Sequence, residues 1–185
     1  MDTKRILFVS GSIGLGHAIR DIAIATNLRS KNPAVKLFWL AAPPANAVLE
    51  EADERLLPES AMFADDSAAA EDAADNSFRL NLLKYISHAL GAWKNNVNAF
   101  RQVTNRYTFD LIVADEAYEI SMAIDKGIVK TDTHFIMIYD FFGNISMSWN
   151  QLRVFVTRSR HKCSIGLNRL RVIWGFNQQP IPYHR

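Results

Sequence analysis

A histidine and an arginine closely follow three glycines near the start of the chain. Residues 11–21 read GSIGLGHAIRD, so His17 and Arg20 are three residues apart and would share one side of a helix. An imidazole titrates near neutral pH and can take a proton from a hydroxyl group. A guanidinium can pair with a phosphate or a carboxylate. The stretch therefore predicts a site for proton transfer or for binding an anion.

The spacing of the glycines argues against the common nucleotide-binding loops. Gly11, Gly14 and Gly16 give the pattern G-x-x-G-x-G, whereas a dinucleotide loop has G-x-G-x-x-G and an acidic residue about 20 residues later. A P-loop needs a lysine after its last glycine, and His17 stands there instead. We therefore expect no nicotinamide, flavin or other cofactor, and no P-loop chemistry.

Two interpretations of the loop remain open. Glycines after a strand let the backbone approach a ligand, and the free N–H groups at the start of the next helix attract anions. This interpretation assigns ligand or phosphate binding to Gly11, Ser12, Gly14, Gly16 and Arg20. Alternatively, the loop is only a tight turn, with His17 capping the helix and Arg20 in a salt bridge with a neighbouring acid.

The apolar pattern predicts the elements that position these residues. It indicates strands over Lys4–Ser10, Val35–Ala41, Asp110–Ala114, His134–Tyr139 and Arg169–Trp174. Helices are expected from His17 to the RSKNP stretch, over about residues 78–107, over Asp115–Asp125 and over Trp149–Lys162. Residues 58–77 hold few large apolar groups and predict a mobile loop or a loose helix. The alternation predicts a single α/β domain over residues 1–185, a Rossmann-like, doubly wound and mostly parallel sheet flanked by helices.

Acidic residues follow two of the predicted strands. In a doubly wound sheet the ligand site lies at the carboxyl ends of the strands, which here are followed by the glycine loop, by Asp115 and Glu116, and by Asp140. Asp115 near His17 would orient the imidazole ring and raise its pKa, and Glu116 could do the same. Asp115 could instead cap the following helix. Asp140 is a candidate for lining the cleft, and Asp21 is expected to be exposed or capping.

The composition is that of an ordinary globular protein with an uneven charge. The 185 residues are 49% hydrophobic and 22% charged, with Cys163 as the single cysteine, so we expect no disulfide, no metal site and a cytoplasmic setting. Residues 50–75 hold ten acids against one base, whereas the chain from Phe141 onward holds no acid and seven bases. This basic tail predicts either peripheral contact with anionic lipid or a solvated or domain-facing surface. No nucleic-acid motif accompanies it.

Three segments resemble the amino-terminal domain of GT-B glycosyltransferases. The segment GSIGLGHAIRDIAIATNLRSKNP is similar to the first strand-loop-helix of the branch that makes lipid II and monogalactosyl diacylglycerol, with its pattern G-x-G-H-x-x-R. FDLIVADEAYEISMAI and HFIMIYDFFG look like two later strands of that family. The resemblance covers most of residues 4–143.

The resemblance implies an acceptor-side domain. In such enzymes a second domain holds most of the UDP-sugar, and the acceptor here would be a lipid or a glycan. The resemblance implies that His17 is the base and that Asp115 holds it. No donor-binding segment is recognisable before Arg185, so the donor would be bound by a missing carboxy-terminal domain or by a partner subunit, and we expect the isolated domain to be inactive. The alternatives are a non-catalytic binding module of the same fold, or part of an enzyme related to sugar-nucleotide epimerases.

Overall fold

Five parallel strands form one sheet in the order β2-β1-β3-β4-β5. The structure, a computed structural model, describes residues 3–11, 15–64, 71–74, 81–138 and 170–173. The strands are β1 (Arg5–Ser10), β2 (Lys36–Ala41), β3 (Leu111–Asp115), β4 (His134–Ile138) and β5 (Leu170–Ile173). The helices are α1 (Leu15–Lys31), α2 (Ala45–Glu51), α3 (Leu82–Arg106) and α4 (Tyr118–Asp125), with a 3-10 helix at Pro58–Met62. The expected α/β class and doubly wound parallel sheet are confirmed.

Strand β1 is buried on both faces of the sheet. Ile6 and Phe8 belong to the apolar cluster on one face, and Leu7 and Val9 belong to the cluster on the other. Successive side chains of a strand point to opposite faces, so a continuous apolar run fits a strand that helices cover on both sides. The apolar run after Lys4 therefore becomes the centre of the sheet.

The helices divide between the two faces. Buried residues of α1 and α2 pack with the face that carries Phe8, whose ring stacks on Trp39 with the ring centroids 4.6 Å apart. Residues of α3 and α4 pack on the opposite face, where Phe100 lies edge-on to Phe135. Each helix contributes one apolar side, as the spacings of three and four residues along α3 predict.

The segment after α2 covers the outer edge of β2. Trp39 donates its backbone N–H to the Arg55 carbonyl (3.0 Å) and accepts from the Leu57 N–H (2.8 Å). Glu54 lies buried behind this pairing, where one carboxylate oxygen accepts from the Trp39 indole nitrogen at 2.6 Å and both oxygens receive the Arg29 guanidinium. Glu54 thereby ties α1 to the edge strand.

Two expected elements differ from the structure. Helix α4 begins at Tyr118 rather than at Asp115, because Asp115 completes β3 and Glu116 leaves it with a φ of +50°. Residues 58–77 were expected to form a mobile loop or a loose helix, and their first part is a packed 3-10 helix in which Glu59 and Ser60 are buried, followed by buried Phe63. Asn96 of α3 fixes the end of this part, because its amide exchanges two hydrogen bonds with the Ala64 backbone (2.6 and 3.2 Å). The expected helix Trp149–Lys162 lies outside the described residues.

Candidate active site

The strand order reverses between β1 and β3. From β1 the chain crosses to β2 on one side, and β3 pairs with β1 on the other, with Ser10 opposite Asp115 in the register. The carboxyl ends of the strands at such a reversal leave a crevice where ligands of doubly wound sheets bind. The loop before α1 and the end of β3 therefore meet at the place where this fold favours a site.

His17, Arg20 and Asp115 meet at this point. The Arg20 Nη2 atom donates to both oxygens of Asp115, at 2.6 and 2.7 Å, and the His17 Nδ1 atom lies 3.2 Å from Asp115 Oδ2. The Asp115 side chain is 1% exposed, that of His17 14% and that of Arg20 27%. A carboxylate buried this deeply needs such partners, because it has lost its hydration.

The Nδ1 atom of His17 has two competing neighbours. Arg20 Nη2 lies 2.9 Å from it and Asp115 Oδ2 lies 3.2 Å from it. If Nδ1 carries the proton, it donates to Asp115, and the lone pair that can accept a proton lies on Nε2. If Nε2 carries the proton, Nδ1 accepts from Arg20. The balance between the two partners therefore sets which nitrogen can accept a proton.

The environment raises the pKa of His17. The hydrogen bond to Asp115 is the largest cause, burial opposes it, and the negative charges of Asp115 and Glu116 outweigh the positive charge of Arg20. Each of these causes has the expected sign, since a neighbouring carboxylate favours the imidazolium form.

Glu116 lies on the opposite side of the His17 ring. Its Oε2 atom is 3.8 Å from His17 Nε2, and its Oε1 atom accepts from the Tyr118 hydroxyl at 3.3 Å. The φ of +50° is uncommon for a residue other than glycine, and such strain collects at functional sites. The structure thus puts carboxylates near both nitrogens of the imidazole.

Asp21 corrects an expectation, because it is neither exposed nor a cap. Its side chain is fully buried, and its Oδ2 atom accepts from the Ser10 hydroxyl at 2.9 Å. Burial, followed by the negative charge of Asp115, raises the pKa of Asp21 to about 8. The helical spacing could have found this residue, because Asp21 falls on the buried side of α1 with Ala18 and Ala25.

The glycines of the loop have different surroundings. A Cβ on Gly11 would collide with the Asp115 carbonyl oxygen, so the end of β3 requires a glycine there. A Cβ on Gly16 would meet nothing within 4 Å, which is compatible with space for a ligand at the start of α1. Ser12, Gly14 and Asp140 lie outside the described residues. Ligand binding by Gly11, Gly16 and Arg20 stays a prediction.

A pocket lies at the opposite, amino-terminal edge of the sheet. It has a volume of about 380 Å³ and is lined by Arg5, Lys36, Phe38, Arg55, Leu56, Leu57, Pro58 and Tyr107. The Arg5 and Arg55 guanidinium carbons lie 4.9 and 4.8 Å from the centre of the Phe38 ring. Two guanidinium groups thus lie against one aromatic ring, and Lys36 adds a third basic side chain to the pocket lining.

The described residues were searched for a metal site and for a membrane span. They contain no group of three histidine, cysteine or acidic side chains that could hold a metal ion. Nor does any helix within them have the length and apolar character needed to cross a membrane.

The comparisons with known proteins give distant structural matches. No protein-family model and no curated protein matches the sequence. The chain is similar to the glycosyltransferase SsfS6 of Streptomyces sp. SF2575 (9% identity, TM-score 0.46, 88% of this chain and 43% of that one). It is also similar to MurG of Acinetobacter baumannii (11% identity, TM-score 0.48, 95% of this chain and 46% of that one). The chain spans less than half the length of these two proteins, so their activities are not carried over to it.

Proposed function

We propose that this domain is the acceptor-binding half of a glycosyltransferase. A UDP-sugar held by a second domain or a partner subunit would be the donor, and a hydroxyl or phosphate on a lipid or glycan would be the acceptor. The observation that carries the proposal is the His17–Asp115 contact at the carboxyl ends of β1 and β3. The resemblance of the G-x-G-H-x-x-R segment to GT-B enzymes supports it.

The roles of the residues follow from their contacts. In the tautomer with Nδ1–H directed at Asp115, His17 Nε2 takes the proton of the attacking acceptor group as the bond to the sugar forms and the nucleotide leaves. Asp115 stabilises the imidazolium that results. Arg20 holds Asp115 through two contacts, and the open space at Gly16 would admit the acceptor.

The test is sugar transfer from a panel of UDP-sugars to lipid and glycan acceptors. The chain is assayed alone and combined with a donor-binding domain. We expect His17→Ala to lower kcat/KM by roughly 100-fold or more, the usual contribution of a positioned general base. His88→Ala is the matched control, because His88 is a half-exposed histidine paired with Asp72 away from the site. Full activity of His17→Ala, or no transfer by the wild type under either condition, would reject the proposal.

The cationic pocket favours a second candidate, a non-catalytic module that binds an anionic small molecule. Arg5, Lys36 and Arg55 would neutralise the anion, and Phe38 and Tyr107 would contact its apolar part. Calorimetry with UDP and with pyrophosphate discriminates the two candidates. Tight binding that Arg55→Ala abolishes and Arg101→Ala preserves would favour the module. Arg101 is a suitable control because it is an exposed arginine of α3 that contacts Asn98.

A further inference from the structure

Asp21 is a buried carboxyl group that the proposed reaction does not use. Ser10 of β1 donates to its Oδ2 atom, whereas no described group donates a hydrogen bond to its Oδ1 atom. An ionised carboxylate without exposure and with a single hydroxyl donor is unfavourable, because burial removes the water that stabilises the charge. The surroundings of Asp21 therefore favour the neutral acid.

The net effect of the charged groups around Asp21 also favours the neutral acid. Ser10, which binds Asp21, lies opposite Asp115 in the sheet register, so the Asp115 carboxyl group belongs to the same site. After burial, the negative charge of Asp115 is the largest cause that raises the pKa of Asp21, and a hydrogen bond to Asp115 adds to it, whereas the Ser10 hydroxyl and the positive charge of Arg20 lower this pKa. Two adjacent buried carboxyl groups do not both ionise readily, so one of them keeps a proton. Arg20 contacts both oxygens of Asp115 and His17 approaches one of them. Asp115 therefore carries the negative charge and the proton stays on Asp21.

We propose that Asp21 is a positioning residue, a neutral carboxylic acid that donates a hydrogen bond to Asp115 and holds that carboxylate against His17 and Arg20. The raised pKa of Asp21 agrees with this protonation state near neutral pH. Its meaning for catalysis rests on the proposed function, but the protonation state does not.

The neutral state of Asp21 also limits the negative charge close to the His17 ring. Only Asp115 and Glu116 raise the pKa of His17 by their charges. Ionisation of Asp21 would add a further negative charge behind Asp115 and raise the pKa of His17 again, which would hold the imidazole in its protonated form. A proton on Asp21 therefore keeps His17 able to act as a base.

The substitution Asp21→Asn tests the protonation state. An asparagine amide can donate to Asp115 while its oxygen accepts from Ser10, so it imitates the neutral acid in shape and charge. We expect the pKa of His17, followed by its NMR resonance and assigned with His17→Gln, to stay within about 0.3 of the wild-type value. Asp21→Ala removes the donor to Asp115 and should raise the pKa of His17. If Asp21 were ionised, Asp21→Asn would lower the pKa of His17 by about one unit or more, and this result would overturn the proposal.

Infrared difference spectra give a readout that does not depend on His17. The wild type at pH 6 should show the carbonyl band of a protonated carboxylic acid, and Asp21→Asn should lack that band. A wild-type spectrum at pH 6 without a band sensitive to Asp21→Asn would also overturn the proposal. Both measurements use the chain without donor or acceptor. A failure of the transfer assay with these results intact would reject the transferase function alone.

Discussion

At the scale of single residues, one imidazole nitrogen decides what the site can do. His17 Nδ1 faces the Asp115 carboxylate and the Arg20 guanidinium at similar distances, 3.2 and 2.9 Å. Asp115 favours a protonated ring and Arg20 opposes it. The basicity of His17 is thus a balance between two side chains that also bind each other.

Substituting each neighbour should move the pKa of His17 in opposite directions. Asp115→Asn removes the largest cause that raises this pKa and leaves the burial that lowers it, so the pKa should fall by about one unit or more. Arg20→Ala removes a positive charge, so the pKa should rise. NMR titration of the histidine resonances measures both changes. Shifts of the same sign would contradict a balance between Asp115 and Arg20.

At the scale of elements, the turn from β1 into α1 and the end of β3 constrain each other. The backbone of Gly11 passes so close to the Asp115 carbonyl that no Cβ fits between them. The same register puts Ser10 opposite Asp115. The close approach of two strand ends brings His17 and Asp115 together although they are 98 residues apart in the chain.

Two alanine substitutions distinguish Gly11, where the fold leaves no space for a Cβ, from Gly16, where a Cβ would meet no atom. Gly11→Ala forces the Asp115 carbonyl to move and should destabilise the fold by about 1–3 kcal/mol. Gly16→Ala meets no atom within 4 Å and lies in a helix, so we expect unchanged or slightly higher stability. Urea unfolding measures both variants. If Gly16 admits the acceptor, Gly16→Ala should also raise the KM for the acceptor while the fold stays intact.

Sequence reasoning worked where one physical effect dominated. The apolar runs predicted the bounds of all five described strands to within one residue at either end. For β1 the physical reason is that a strand covered on both faces needs a continuous apolar run. The position of Asp115 after a strand predicted its meeting with His17. Asp21 was wrongly expected to be exposed or capping, because acidic residues are rarely buried, although its helical spacing with Ala18 and Ala25 puts it on the buried side of α1. The positive φ of Glu116, which delays α4, accompanies a contact between residues far apart in the chain, since the Glu116 N–H donates to the Ile138 carbonyl at 3.1 Å.

At the scale of the whole molecule, clusters of charged side chains lie at both ends of the strands. The carboxyl-end site collects Asp21, Asp115 and Glu116 around two bases. The amino-terminal edge collects Arg5, Lys36 and Arg55 around the pocket. The buried acids of the carboxyl-end site link the stability of the fold to pH.

The free energy of unfolding should fall as the pH rises from about 4 to about 8. Asp21 has a usual pKa of 3.8 and a pKa of about 8 in the folded chain. The folded state therefore binds this proton more tightly than the unfolded state does. The resulting stabilisation is complete below pH 3.8 and is lost as the pH rises to about 8. The pKa of His17 is also raised, so the loss of its proton lowers the free energy of unfolding further above pH 6.5.

Urea unfolding at several pH values measures this dependence. The contribution of Asp21 to the slope is at most about 1.4 kcal/mol per pH unit, and Asp21→Asn should flatten it. Asp72→Asn is the control, since Asp72 is an exposed residue that pairs with Lys84 and His88. An Asp21→Asn variant with the wild-type slope between pH 5 and 8 would contradict this expectation.

The cover on β2 has a consequence for how separate copies of the chain meet. An open strand edge offers N–H and C=O groups to which a strand of another molecule can add, and such pairing leads to aggregates. Arg55 and Leu57 occupy these groups at Trp39, and the Arg29–Glu54–Trp39 contacts hold the covering segment in place. Loss of Glu54 would therefore open a docking edge. We expect such a variant to appear in the insoluble fraction, while the pKa of His17 in the remaining soluble protein stays unchanged.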